Sequence, residues 1–358
     1  MLRGMTRSSY YSWFDARRGP DLEPWDLDAP DGPVANAAYL AETFREVEER
    51  IERRDPDLAG RLGRLHVVVT PNHAELPRTG PDVVALVVSD NWARVPRWAD
   101  DVGLVMATNR GRRWSDATRM LPRPLGWAEV LDEARVRFER ERWARQGHRP
   151  KMRKDQVVPI PLGYAYQRDV PAVPWEERDV DAFFAGSTVH TLDRGGALRK
   201  RLRAGGFGVK SLHREGMLAA AEQLRGERPD LNVQIQLMGS DDVTDHVDTY
   251  SETMARTRFS LDPRGQSRES YRFFEAARVG AVPVVTALPA GGLYAGAPAL
   301  RLRHWDDLPA AMRRMTERPE EARALHEAVL AWYASHGSPE ATAARLVPLF
   351  EDVLRRLP

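Results

Sequence analysis

From residue 65 onward the chain keeps returning to one device, a short apolar run closed by turn residues or by a helix. The stretches "LHVVVT" (65–70), "VVALVVSD" (83–90) and "VGLVMAT" (102–108) carry apolar side chains at consecutive positions rather than alternate ones. A strand of that kind has to be covered on both faces, which is the condition of a mostly parallel sheet flanked by helices. This pattern constrains the fold more than anything else in the sequence.

The surrounding segments fit it. In "NAAYLAETFREVEERIERR" (36–54) Tyr39, Leu40, Phe44, Val47 and Ile51 recur at helical spacing, with charges on the other positions. "WAEVLDEARVRFERERWARQ" (127–146) reads as a helix and "QVVPIPLG" (156–163) as a strand. The proline-rich, charged stretch 165–181 reads as a linker, after which the alternation starts again. "AFFAGS" (182–187), "NVQIQLMG" (232–239), "RFSLDP" (258–263), "AVPVVTA" (281–287) and "PALRLR" (298–303) are expected strands. Helices are expected at 194–204, 245–258 and 270–280, and the chain from Leu308 on reads as helical. The first thirty-odd residues read as an irregular lead-in. With 358 residues the chain is long enough for two α/β domains of similar size. The expected boundaries are 1–165 and 166–338, followed by a long amphipathic helix at 339–358.

Charge and composition exclude several classes. Lys plus Arg number 53 against 52 Asp plus Glu, so the basic excess of a nucleic-acid binder is missing. Without cysteine there can be no disulfide, thiolate metal site or cysteine nucleophile. No apolar run approaches the roughly 18 residues of a membrane span. The N-terminal stretch "MLRGMTRSSYYSWFD" has a basic start but no apolar core of a secretory signal, and a cytoplasmic protein is expected.

The chemistry concentrates in "FSLDPRGQSRESYRFFEAARVGAVPVV" (259–285). Arg264 and Gly265 fall at the carboxyl end of a strand, where glycine permits a tight turn or a close approach to a ligand. The next helix begins near Ser267 or Ser270, either of which serves as N-cap, and its free N–H groups form an anion site. Arg264, Arg268 and Arg272 cluster there, and a guanidinium grips phosphate through two parallel hydrogen bonds. Glu275 lies about one turn beyond Arg272, placed to accept hydrogen bonds from ribose hydroxyls. Each residue also has a purely structural use: Ser270 as cap, Arg272 with Glu275 as an ion pair, Gly280 as helix C-cap.

This stretch resembles the nucleotide-sugar-binding region of the exostosin family of glycosyltransferases. The family's pattern of a strand, Pro-x-Gly, Ser-x-Arg, Glu-Ala and Gly-x-x-Pro-Val is matched by Pro263 and Gly265, Ser270 and Arg272, Glu275 and Ala276, then Gly280, Pro283 and Val284. "KDQVVPIPLG" and "RDVDAFFAGS" resemble the family's interdomain strand and the first strand of its C-terminal domain, ending in Gly186 and Ser187. Arg199 falls where a basic residue often follows that glycine-containing loop. The resemblance covers about residues 154–290, and the N-terminal half matches no named pattern.

What it implies is a GT-B fold, two Rossmann-like domains with parallel sheets facing a central cleft. The N-terminal domain would take the acceptor, a glycan, lipid-linked or small-molecule hydroxyl compound. The C-terminal domain would take a UDP- or GDP-linked sugar, and the last helix would cross back to the N-terminal domain. No cofactor is implied beyond the donor. Many retaining GT-B enzymes carry two glutamates eight residues apart; here Glu275 is the second and Ser267 stands at the first, which favours inversion. Arg199, Arg264, Arg272 and the helix N-terminus would neutralise the departing diphosphate without metal. Asp90 after a strand and His73 in "VTPNH" are the candidate bases, each with an ordinary alternative as a turn or cap residue. Asp241–Asp242 and Asp26–Asp28 are carboxylate pairs of the sort that hold divalent cations, but capping explains the former, and no metal is expected. His190 follows a strand end and His66 lies within a strand. "SSYYSWF" and Trp92, Trp98, Trp114 and Trp127 offer aromatic faces for an acceptor or for a core. The rival readings are a sugar-nucleotide epimerase or hydrolase of the same fold, and a non-catalytic nucleotide- or glycan-binding protein.

Overall fold

The computed structural model describes residues 7–14, 21–29, 32–88, 95–108, 121, 123–145, 156–165, 167–186, 209–237, 246–265, 269–289, 292–294 and 296–358. The described residues fall into two compact units. Unit 1 is drawn from Met1–Arg110, Glu139–Ala165 and Ser338–Pro358, and unit 2 from Gly111–Phe138 and Tyr166–Gly337. The helix that begins at Pro124 therefore starts in unit 2, and the last helix of the chain belongs to unit 1.

Unit 1 holds the strands β1 (Ser9–Ser12), β2 (Glu23–Pro24), β3 (His66–Thr70), β4 (Gly80–Val87), β5 (Val102–Ala107) and β6 (Val158–Pro159), in the order β2-β1-β3-β4-β5-β6. All neighbours are parallel except β1 and β2. The unbroken apolar runs have the expected cause: Val67, Val69, Val84 and Leu86 enter one core, while Val68 and Val83 enter a second on the opposite face. Helix α1 (Ala37–Arg54) covers the first face, with Tyr39, Leu40, Phe44, Val47 and Ile51 all fully buried. The terminal helix α8 (Pro339–Arg356) lies against α1 and adds Leu346, Phe350 and Leu354 to that core.

Two expectations change here. The lead-in is not irregular, because Ser9–Ser12 pairs with His66–Val69 as a sheet strand. Its anchor is Glu48 of α1, which accepts hydrogen bonds from Ser8 N and Tyr10 Oη, each at 2.8 Å. Four residues, half of them serine, are too short and polar to announce a strand. Conversely, only Val158–Pro159 of "QVVPIPLG" is strand, since Pro159 and Pro161 lack the N–H that a ladder needs.

Unit 2 holds β7 (Val180–Gly186), β8 (Val233–Leu237), β9 (Thr257–Leu261), β10 (Val282–Val285) and β11 (Leu300–Arg301), all parallel, in the order β11-β10-β9-β7-β8. Its helices are α2 (Pro124–Arg145, in part), α3 (Val209–Glu227), α4 (Val247–Ala255), α5 (Tyr271–Val279), α6 (Leu308–Glu317) and α7 (Pro319–Trp332). Side chains alternate along β7: Phe184 joins α3 and α6 on one face, and Phe183 joins α4 and α5 on the other. Right-handed crossovers demand this split, because the step from β7 to β8 runs opposite to the step from β8 to β9. Helix α5 stops at Gly280, whose φ of +76° suits glycine and where a Cβ would come within 2.6 Å of His326 Cε1. Two units of α/β structure with parallel sheets are thus present, as the alternating pattern requires. Among the described residues no helix is long and apolar enough to cross a membrane.

The proline-rich stretch 165–181 spans the change of unit but is not a loose linker. From Gln167 on it is fastened to unit 2, with Gln167 donating to the Glu275 carbonyl at 3.0 Å and Trp175 edge-on to Phe259. Its strongest hold is Arg178, which is buried and donates to the carbonyls of Val173 (2.9 Å), Thr257 (2.6 Å) and Val279. Burial, with help from Arg258, pulls its pKa down to about 10, so it stays charged near neutrality. One side chain thereby ties the stretch to the start of β9 and the end of α5. Arg178→Met should lower the unfolding free energy measured in urea by about 3–5 kcal/mol, because three buried carbonyls lose their donor. Arg178→Lys should recover only part of it, since a point charge cannot serve three separate carbonyls as a fork can. A loss under about 1 kcal/mol for the Met variant would remove Arg178 as a staple.

Candidate functional site

The strand order of unit 2 reverses direction between β7 and β9, with α3 following β7 on one face and α5 following β9 on the other. Open parallel sheets leave a crevice outside the carboxyl ends of two such strands, and ligands bind there. What the sequence puts at this place is a set of charges. Strand β9 runs out through Asp262, whose N–H still bonds the Val284 carbonyl at 2.9 Å. Pro263 then breaks the ladder, and the chain continues through Arg264 and Gly265.

Ser270 is the N-cap of α5, its hydroxyl accepting from Arg272 N at 3.2 Å. The side chain of Arg272 turns back across the switch. Its Nη2 donates to the Ala185 carbonyl of β7, its Nη1 lies 3.6 Å from Asp262 Oδ1, and its guanidinium sits 4.7 Å from the centre of the Phe184 ring. Gly186 gives it room, for a Cβ there would fall 2.8 Å from Arg272 Nη2. Arg214 of α3 approaches the same Phe184 ring at 5.9 Å. Burial chiefly, and then Arg272, pull the Arg214 pKa down to about 10, against the opposing pull of Asp262. The Asp262 carboxyl is pushed up to about 6, chiefly by burial and further by Glu275, while Arg272, Ser270 and Arg214 resist the rise.

Glu275 is buried behind this group. Its Oε2 accepts from Tyr250 Oη at 2.5 Å, and burial followed by the Glu275 charge drives the Tyr250 hydroxyl well above its ordinary range. Arg264 faces elsewhere. It is buried in a network with α2, its Nη1 donating to Glu129 Oε1 at 2.6 Å and its Nη2 to Asp132 Oδ2 at 3.2 Å. Glu129 Oε1 also lies 2.9 Å from His213 Nε2, and His213 Nδ1 is 3.3 Å from Thr286 Oγ1, just past β10.

The structure therefore gathers Gly186, Ser270, Arg272 and Glu275 around one strand switch, and places Arg264 and Gly265 on the same sheet edge with Arg264 turned into the Glu129–Asp132 network. Ser187, Arg199 and Asp90 lie outside the described residues, as do Arg268, His190, Asp241, Asp242, Trp92 and Trp114. His73 follows β3 in unit 1; it is buried, and its Nδ1 is 3.1 Å from the Pro71 carbonyl. His66 stacks on Tyr11, and burial lowers its pKa. Asp28 pairs with Arg7 and Arg45, each at 3.1 Å. Tyr10, Trp13 and Trp98 are core residues, whereas Trp127 is exposed.

Sequence reading passed over Asp262, Arg214, Tyr250, Glu129 and His213. Asp262 stood in plain view before Pro263. The other four sit on helices whose contact with the strand ends no local spacing reveals.

Residues 231–340 match the family model described as RXYLT1 C-terminal domain. The chain is similar to ribitol-5-phosphate xylosyltransferase 1 of Danio rerio, at 27% identity over 142 residues, 35% of this chain and 32% of the relative. The alignment thus spans about a third of that relative's length. Among solved structures it is similar to a sucrose-phosphate synthase from Thermosynechococcus elongatus, with 11% identity and a TM-score of 0.42, covering 98% of this chain and 100% of the other. It is also similar to a glycosyltransferase from Rickettsia africae, with 10% identity and a TM-score of 0.38, covering 88% and 95%.

The raised carboxyl of Asp262 has a consequence for stability. Its folded pKa of about 6 exceeds the ordinary 3.8, so the folded state holds the proton more tightly. That contribution is complete below about pH 4 and is lost as pH rises through about 6, roughly 3 kcal/mol at most. Denaturation midpoints across pH 4 to 7 should fall more steeply for the native protein than for Asp262→Asn. Parallel profiles would show that Asp262 does not titrate in that window.

Proposed function

We propose that the chain is a glycosyltransferase that moves a sugar from a nucleotide-sugar donor to a hydroxyl acceptor, with inversion and without a metal. The observation that carries this is the position of the match. Residues 231–340, similar to the RXYLT1 C-terminal domain, contain β9, Asp262 and the capped N-terminus of α5 with Arg272 and Glu275. The relative of partial coverage is by name a xylosyltransferase. The donor would be UDP- or GDP-linked, and the acceptor a glycan, a lipid-linked or a small-molecule alcohol.

In this reading the diphosphate lies over the carboxyl ends of β7 and β9, with one phosphoryl group at the N-terminus of α5. The acceptor hydroxyl attacks the anomeric carbon as the bond to the diphosphate oxygen breaks, and a base takes the hydroxyl proton. Charge gathers on the departing phosphate, where Arg272 and the first N–H groups of α5 receive it. Arg199, Ser187 and Gly265 remain proposed donor contacts, Arg264 being taken by Glu129 and Asp132 instead, and Asp90 and His73 remain proposed bases. Glu275 would accept from the ribose hydroxyls. Ser267, eight residues before it, replaces the glutamate that a retaining pair requires, hence the choice of inversion.

The test begins with thermal shift. UDP or GDP at a hundred times its dissociation constant adds about 2.7 kcal/mol of stability, a rise of several degrees for a chain of this size. Arg272→Ala should abolish that rise and lower kcat/KM for transfer by roughly 10²-fold. Product formed from donor alone would favour the epimerase or hydrolase, binding without turnover would favour a non-catalytic protein, and no shift with any nucleotide would refute the proposal.

A further inference from the structure

Arg214 is a buried charge of unit 2 with little to satisfy it. It is only 9% exposed, yet among the described residues it makes no ion pair, and its Nε has no hydrogen-bond partner. Arg272 nearby has the Ala185 carbonyl and a loose contact to Asp262, but its own Nε lacks a partner too. Asp262, 6% exposed, leaves Oδ1 without a hydrogen bond. Two buried charged groups, Arg214 and Asp262, therefore meet the half-buried Arg272 here, each with open hydrogen-bonding capacity. A buried guanidinium without a partner is costly and ordinarily absent from a settled core. The other buried arginines of the unit show the contrast, Arg178 serving three carbonyls and Arg264 two carboxylates.

We infer that Arg214 and Arg272 together form a two-guanidinium subsite that selects a diphosphate over a monophosphate. The inference rests on the donor reading above for the nucleoside part of the ligand, and on the geometry alone for the anion. Two forks offer paired N–H donors to two phosphoryl groups, whereas a monophosphate occupies one fork and leaves the other as it stands. The Phe184 ring lies beside both cations, 5.9 Å from the Arg214 guanidinium and 4.7 Å from that of Arg272. Arg214 reaches the site from α3, on the opposite face of the sheet from α5, so the two grips close over the strand switch from both sides.

Calorimetric titration of the full chain should compare UDP and GDP with UMP and GMP, and inorganic pyrophosphate with phosphate. The native protein should prefer each diphosphate at least about tenfold. Arg214→Gln should reduce diphosphate affinity on the order of 30-fold, roughly 2 kcal/mol by the relation of affinity to free energy, with monophosphate affinity changed less than about threefold. If Arg214→Gln keeps the native preference, the inference is overturned while the donor reading stands. If pyrophosphate binds through Arg214 but no nucleotide binds, the inference stands and the donor reading falls. Failure of the native protein to prefer any diphosphate overturns the inference outright. Should Arg214→Gln fail to fold, Arg214→Lys decides instead, because it keeps the charge and loses the fork: a reduced preference supports the subsite, and an unchanged one overturns it.

Discussion

The reversal of strand order between β7 and β9 is the constraint on which the rest of unit 2 depends. Once β8 and β9 flank β7 on opposite sides, right-handed crossovers send α3 to one face and α4 and α5 to the other. The carboxyl ends of β7 and β9 are then the place where the strand order turns, and open parallel sheets bind ligands outside such a point. Arg272 is the side chain that crosses this point, bonded to the end of one strand and beside the first residue beyond the other. Gly186, Ser270 and Asp262 all follow from that crossing, as the space, the cap and the counter-charge it needs.

The buried and half-buried arginines of unit 2 separate into two kinds. Arg178 gives its three nitrogens to carbonyls and Arg264 gives two to carboxylates, and each fastens distant segments: the stretch after residue 165 in one case, helix α2 in the other. Such residues hold a fold. Arg214 and Arg272 are held with less than their full complement, over an aromatic ring and beside a carboxyl whose ionisation burial opposes. A group kept in that condition destabilises the empty protein, a cost that the diphosphate subsite proposed above would offset. Burial alone would not distinguish the two kinds; the count of satisfied donors does.

Much of this was readable in the sequence. Consecutive apolar residues in 65–108 required sheets covered on both faces, and the helical spacing of Tyr39, Phe44, Val47 and Ile51 named a face that is in fact fully buried. The dense stretch 259–285 indicated its strand, cap and helix to within a residue or two, because each is set by local chemistry. Partnerships across long separations could not be read the same way. Glu129 meets Arg264 across 135 positions, and Gln167 meets Glu275 across 108. Arg178 sits among prolines and charges that resemble a linker, and only the surrounding carbonyls reveal its task. Ser9–Ser12 failed for a different reason, since its support comes from Glu48 rather than from its own residues.

The anion site proposed above has to survive while empty, and on that proposal the requirement accounts for the place of Asp262. Two guanidiniums over one phenylalanine ring repel each other, and α5 adds the positive end of its dipole. A full ion pair at that spot would quench the cations and compete with any ligand, as Glu129 and Asp132 do for Arg264. Asp262 does less: its contact with Arg272 is 3.6 Å, outside hydrogen-bonding distance, and burial keeps its pKa near the physiological range. It therefore offsets part of the repulsion without closing the forks. The proposed ligand with two phosphoryl groups would supply the charge and the lone pairs that one buried carboxylate lacks, so the same residue that permits the empty state would leave the filled one favoured.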